Sequence, residues 1–445
     1  MKPSESLDDN LELNNGATKS SRNSLLDKTI SRRDILKLAG AGSLGLLLGA
    51  GGIGGILAAK DTLAKGTGKT TANQFSTEGI VPFYGQHQAG IITPAQNFLC
   101  FASFDLKTTS LAEVRKLFQA WTEAAAVMTT GDLIGNSNSS LNLPPSDTGE
   151  AAGLSPSKMT ITFGVGPSFF DERFGLAGKR PATFKDLPRF RGDALQSKWC
   201  GGDIGIQVCA DDLQVAFHAI RNLARISRGI AVLKWTQEGF QRTGTADPSS
   251  GTPRNLMGFK DGTGNPDTND ATAMNDIVWA HAGDEKDWMK DGSYMVARRI
   301  RMRVEIWDRS SLSDQEITFG RHRDSGAPLG SKNEFDPLDL EAKDSSGQPT
   351  LPMNSHSRLA HMDGGTKILR RAYSYSSGID NKTGQLDAGL FFISYQRNIE
   401  KQFIAMQQIL AASDKLNEYI VHVGSAVFAC FPGTHKGGYI GETLF

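Results

Sequence analysis

The chain is poor in cysteine: among 445 residues there are four, Cys100, Cys200, Cys209 and Cys430. No two have CxxC spacing, which argues against a zinc site. Charge of one sign is also lacking, because 48 basic residues face 48 acidic ones. General nucleic-acid binding needs a basic footprint, so no nucleic-acid partner is expected. No residue-level internal repeat is visible. The uncharged run from Leu38 to Ala59 is long enough to span a bilayer. Its many glycines make it a poor anchor.

What remains is ordinary globular material, 39% hydrophobic and 22% charged, long enough for two domains. Residues 1–30 are polar and rich in Ser and Asn, the composition of a disordered segment. Ser31-Arg32-Arg33-Asp34-Ile35-Leu36-Lys37 then matches the twin-arginine (Tat) export signal. Leu38–Ala59 reads as its mild apolar region, and Thr62-Leu63-Ala64 offers a small-residue cleavage site. Residues 1–64 are therefore an address. The alternatives are a cleaved signal and a retained anchor, and either implies the Tat translocase as a partner and a periplasmic, extracellular or envelope location. The Tat route carries folded proteins, so the thiols form in a reducing cytoplasm and are expected to be free or buried.

Two modules are expected, 65–242 and 252–445, separated by the polar Thr243–Gly251 stretch. Asn97–Leu106, Met159–Gly164 and Asp203–Cys209 read as strands. Ser110–Thr129 reads as a helix with a capping box at Ser110 and Glu113, and Asp211–Ser227 as a second helix. Strand, helix, strand, strand, helix is a ferredoxin-like order. The second half repeats it loosely. Asp276–Trp279 is short and apolar, Ser293–Ile306 and Gly389–Tyr395 are strand-like, Ser311–Phe319 is a short helix, and Asn398–Ser413 is a helix with Phe403, Met406 and Leu410 inward. The fold class is α+β.

Gly258-Phe259-Lys260-Asp261-Gly262 sets a carboxylate in a glycine-flanked turn. Asn354-Ser355-His356-Ser357-Arg358-Leu359 carries a histidine ahead of the basic pair Arg370-Arg371. With Gln385–Phe392, Pro82–Ile91 and Gly164–Ser168, these segments resemble the dye-decolourising peroxidase family, and within it the Tat-exported deferrochelatase/peroxidase branch linked to iron uptake. The resemblance runs from about residue 80 to the C-terminus.

That resemblance implies two ferredoxin-like modules forming a dimeric α+β barrel-like fold, and one haem b per subunit. With no CxxCH, covalent attachment is not expected. It implies His356 as the proximal ligand of the haem iron, with His322 as runner-up. It makes Asp261 the acid/base for peroxide and Arg370 the fixed cation that stabilises developing charge. Arg371 falls outside the pocket. Gly262, Thr263 and Gly264 would approach the haem closely, and Leu390 and Phe392, two apart on a strand, would narrow the distal side. His361, Met362 and Asp363 stand where the family often has Asn-Pro-Arg, a departure at the haem contact.

The function implied is reduction of H2O2 with oxidation of a dye, phenol-like or porphyrin donor. Two alternatives stand beside it. One is a haem-handling protein that releases iron within an uptake system, with iron-uptake components as partners; the other is an exported binding module without haem. Homo-oligomerisation stays open.

Overall fold

The computed structural model describes residues 79–135, 141–242, 251–361, 364–381 and 383–445. The Tat segment, its cleavage site, the 243–250 stretch, Met362 and Asp363 lie outside them. Among the described residues no helix is long and apolar enough to cross a membrane.

Among the described residues nine strands carry the architecture: β1 (Phe98–Leu106), β2 (Thr160–Val165), β3 (Ile204–Ala210), β4 (Ala231–Phe240), β5 (Ser293–Met302), β6 (Leu369–Arg370), β7 (Tyr373–Ile379), β8 (Leu386–Gln396) and β9 (Ile420–Cys430). Their order is β5-β9-β2-β3-β1-β4-β7-β8-β6, and β5 also pairs with β8. Eight strands thus close into an antiparallel ring, with β6 added beside β7 on the edge of β8. Each half is ferredoxin-like: the sheet order β4-β1-β3-β2 in the first half matches β9-β5-β8-β7 in the second. The halves join through the short pairings β4–β7 and β2–β9.

Period-two alternation divides each strand between two cores. Leu99, Phe101, Met295, Phe391, Ile393, Tyr395 and Phe428 share one buried cluster on the inner face of the ring. On the other face of β1, Cys100, Ala102 and Phe104 pack against α1 (Leu111–Met128) and α2 (Leu213–Ile226). Ser110 caps α1 by accepting from the Glu113 amide at 3.3 Å. Asp212 caps α2. The four cysteines are free thiols.

The second half departs from the sequence reading in three places. Asp276 and Ile277 end a helix, α3 (Ala271–Ile277), capped by Asp270. The strand from Ser293 stops at Met302, and α4 (Val304–Trp307) follows. The helix at Asn398 opens as a wide π-turn over Ile399–Ile404 before the regular Ala405–Ser413 segment. A π-turn adds a residue to the turn and marks functional sites more often than plain ones. Three further elements complete the second half: α5 (Leu312–Phe319), α6 (His356–His361) and α7, the Ala405–Ser413 segment.

Candidate active site

A cleft of about 410 Å³ lies between the outer face of β5, β8 and β9 and the helices α5, α6 and α7. Asp261, Gly262, Thr263, Gly264, His356, His361, Arg370, Leu390 and Phe392 all line it. These nine residues singled out from sequence are therefore brought together, while Met362 and Asp363 lie outside the described residues. His322 is not among the lining residues, and its ring pairs with Glu316 at 3.0 Å.

The Asp261 loop is shaped by its glycines. Gly258 has φ +83° and Gly262 φ +131°, backbone that side-chain-bearing residues rarely adopt. Gly264 needs no such freedom, but a Cβ there would stand in open space. Glu334 holds the loop from both sides of Asp261: it accepts from Lys260 Nζ at 2.5 Å, from Thr263 Oγ1 at 2.8 Å, and from Thr252. Burial works against its charge, yet these three donors keep its carboxyl below the ordinary range.

Asp261 Oδ1 accepts from Arg370 Nη1 at 3.0 Å. Among the described residues its other oxygen, Oδ2, meets only the Asn255 amide, at 3.5 Å. Arg370 is fixed from behind by Asn265, whose side chain donates to the Arg370 carbonyl at 2.8 Å and accepts from the Arg370 amide at 3.1 Å. Arg371 points to the opposite side of the strand. It is buried and donates to the Thr93 and Pro94 carbonyls and to Gln96.

His356 opens α6. Its Nδ1 shares a proton with Asp414 Oδ2 at 2.6 Å, and Asp414 is buried with its second oxygen on the Leu416 amide at 2.8 Å. Burial alone would lower the imidazole's proton affinity; Asp414 overcomes this and raises it. The carboxylate fixes the tautomer, leaving Nε2, without a hydrogen bond among the described residues, as a basic metal donor. Phe319 stands edge-on to the ring, 6.1 Å between centroids.

Between these two polar centres the walls are apolar: Ile300, Leu390 and Phe392 on the sheet, Phe403, Met406 and Leu410 on the helical side. Leu390 pairs across the sheet with Ile300, and Phe392 with Arg298. A flat hydrophobic macrocycle with a metal at its centre suits such a slot. The donor set fits haem: one basic imidazole, apolar walls, and an acid–cation pair. Sequence reasoning missed Asp414, Glu334 and the positioning role of Asn265.

Two family profiles match the chain: Dyp-type peroxidase, N-terminal, over residues 88–241, and Dyp-type peroxidase, C-terminal, over residues 252–435. The deferrochelatase of Escherichia coli (strain K12) is 38% identical over 422 residues, 93% of this chain and 96% of that protein. The deferrochelatase of Yersinia pestis is 39% identical over 372 residues, 82% of this chain and 84% of that protein. Among solved structures, a DyP-type peroxidase from Cellulomonas bogoriensis is 38% identical with a TM-score of 0.76, covering 83% of this chain and 98% of its own. Ferric DtpA from Streptomyces lividans is 36% identical with a TM-score of 0.77, covering 84% of this chain and 99% of its own. By profile, by sequence and by fold, the chain belongs to the Dyp-type peroxidase family.

Proposed function

We propose that the chain is a haem b peroxidase, reducing H2O2 and oxidising a dye, phenol-like or porphyrin-type donor. The observation that carries this is the Asp261–Arg370 contact, which lines the same cleft as the His356–Asp414 pair. Haem binding alone needs a ligand and apolar walls; it does not need a carboxylate held beside a guanidinium.

The roles follow from the atoms. His356 Nε2 would hold the iron, and Asp414 would keep the imidazole electron-rich. Bound haem would supply the iron at which the peroxide O–O bond is split. Asp261 Oδ2, the less engaged oxygen, takes the proton from one end of H2O2 and returns it to the departing oxygen. Arg370 balances the charge that builds there and cannot lose its own proton. Leu390 and Phe392 limit entry to small peroxides, so bulky donors would give up electrons from outside. Gly262, Thr263, Gly264 and His361 would edge the macrocycle, with Met362 and Asp363 beside them in sequence.

A second reading rests on the curated relatives named deferrochelatase, which support it equally. There haem is a substrate, and iron leaves while the ring is spared. We further propose that the Ser31–Lys37 signal exports the folded, loaded protein by the Tat route to the periplasm or cell envelope, where iron-uptake components are candidate partners. Residues 65–242 and 252–445 are proposed as its two domains.

Purifying the full-length protein and recording its absorption tests both. A Soret band that responds to H2O2 and turnover of a phenolic donor support the peroxidase. Iron release without porphyrin breakdown, and no donor oxidation, favours the second reading.

A further inference from the structure

Besides the two polar centres already described, the cleft has buried polar side chains on β5, β9 and α7. Arg298, Gln407 and His422 all line it. Each is deeply buried, at 1%, 8% and 8% of full exposure. Buried polar groups are normally satisfied, so each bonding position without a partner asks for an explanation.

Arg298 uses two of its nitrogens inside the protein. Nη2 pairs with Asp193, and Nη1 donates to Ser425 Oγ at 3.0 Å. Its Nε is buried without a partner among the described residues. The guanidinium also lies over the Phe190 ring, 5.4 Å from its centroid, within the about 6 Å reach of a cation–π contact. The Gln407 side chain has no hydrogen bond to any described residue. It lies one helical turn beyond Phe403, whose ring centroid is 6.3 Å from that of Phe190, the ring that Arg298 covers. The His422 ring makes no hydrogen bond among the described residues; its Nδ1 is 4.0 Å from Asp193. Burial and the neighbouring Arg298 push its pKa down to about 3, so it enters as a neutral imidazole with one N–H.

Three side chains from three elements thus offer N–H donors to the same cleft, and among the described residues Asp193 is the carboxylate paired with Arg298. An acceptor with two oxygens matches this set, because Arg Nε, the Gln amide and one imidazole N–H can all donate to it. We propose that Arg298, Gln407 and His422 form a buried carboxylate site that takes one acidic side chain of the porphyrin. This rests on the haem reading and goes beyond it. It orients the macrocycle in the slot, with one acidic edge turned into the protein between β5 and β9 instead of towards solvent. It also makes the cleft selective for porphyrins that carry a free acid.

The test compares iron protoporphyrin IX with its dimethyl ester. Both are titrated into the full-length protein after its haem has been extracted, and the Soret change gives each affinity. Gln407→Leu is the cleanest variant, because the Gln407 side chain bonds to none of the described residues. Arg298→Lys keeps the charge facing Asp193 but has no Nε. The expected result is a wild type that binds the diacid at least about tenfold more tightly than the ester, and variants that lose about tenfold for the diacid alone. Equal loss for both ligands, or an unchanged preference in both variants, overturns the carboxylate site while leaving haem binding intact. A wild type that takes up neither porphyrin overturns the haem reading itself.

Discussion

Asp261 and Arg370 are 109 residues apart in sequence, and Asp261 Oδ1 lies 3.0 Å from Arg370 Nη1. The contact is built from two independently braced backbones. Asn265 bonds both the amide and the carbonyl of Arg370, while Glu334 gathers Thr252, Lys260 and Thr263 around Asp261. Fixed charge in a half-buried cleft needs little rearrangement during reaction, which is what makes such a pair effective.

His356→Ala is expected to leave the purified protein with little haem, whereas His322→Ala keeps a normal content. Asp414→Asn should keep the fold but lower haem affinity by roughly 10- to 100-fold, the usual cost of removing a partner behind a metal ligand. Soret absorbance per protein checks all three. Full retention in the His356 variant would remove the ligand assignment.

Glu334→Gln is expected to loosen the Asp261 loop without touching haem. A misplacement of about 1 Å can cost roughly 100-fold in rate. The peroxide reaction should slow by 10-fold or more, in the range of about 10- to 100-fold, while haem content and the Soret position stay as in the wild type. A variant that reacts at the wild-type rate would show that the loop holds itself.

His422 sets a pH dependence of stability. Its pKa is about 3 in the folded protein, against about 6.5 for an ordinary imidazole. The unfolded chain therefore binds the extra proton first. This contribution is complete above pH about 6.5 and is lost progressively as pH falls towards about 3. Urea unfolding of the haem-extracted protein across that window should show a shallower decline for His422→Phe than for the wild type. Parallel declines would mean that His422 is hydrated in the native state.

Changing Arg32 and Arg33 together to lysine should hold the haem-loaded precursor in the cytoplasm. Fractionation followed by Soret spectra of each fraction reads this directly. Export of the double variant at the wild-type level would point to another route.

How much of this was legible in the sequence depended on distance along the chain. The Asp261 turn is local, and its flanking glycines announce the backbone that Gly258 and Gly262 adopt. The His356 segment was recognisable by resemblance. Asp414 and Glu334 were not, because a carboxylate at a helix end or in a loop has no local pattern that names its partner. Asp414 follows α7 and caps the next turn through Leu416, a role that hides its contact with His356 58 residues away. Helical spacing found Phe403, Met406 and Leu410, but spacing reports an apolar face without saying whether it meets a core or a cleft. The strands β4 and β9 went unread: β4 alternates only in part, with exposed Val232 and Leu233, and β9 is broken in pattern by Gly424 and Ser425.

The most direct test of the peroxide site is stopped-flow mixing of haem-loaded wild type, Asp261→Asn and Arg370→Leu with H2O2 at acidic pH. Neither side chain is placed to ligate iron, so both variants should carry normal haem. The peroxide-dependent spectral change should slow in each by about 100- to 10,000-fold, the typical contribution of a positioned acid/base or charge-stabilising group. Wild-type rates in both variants would contradict the assignment of this cleft as the peroxide site and leave iron release as the better account.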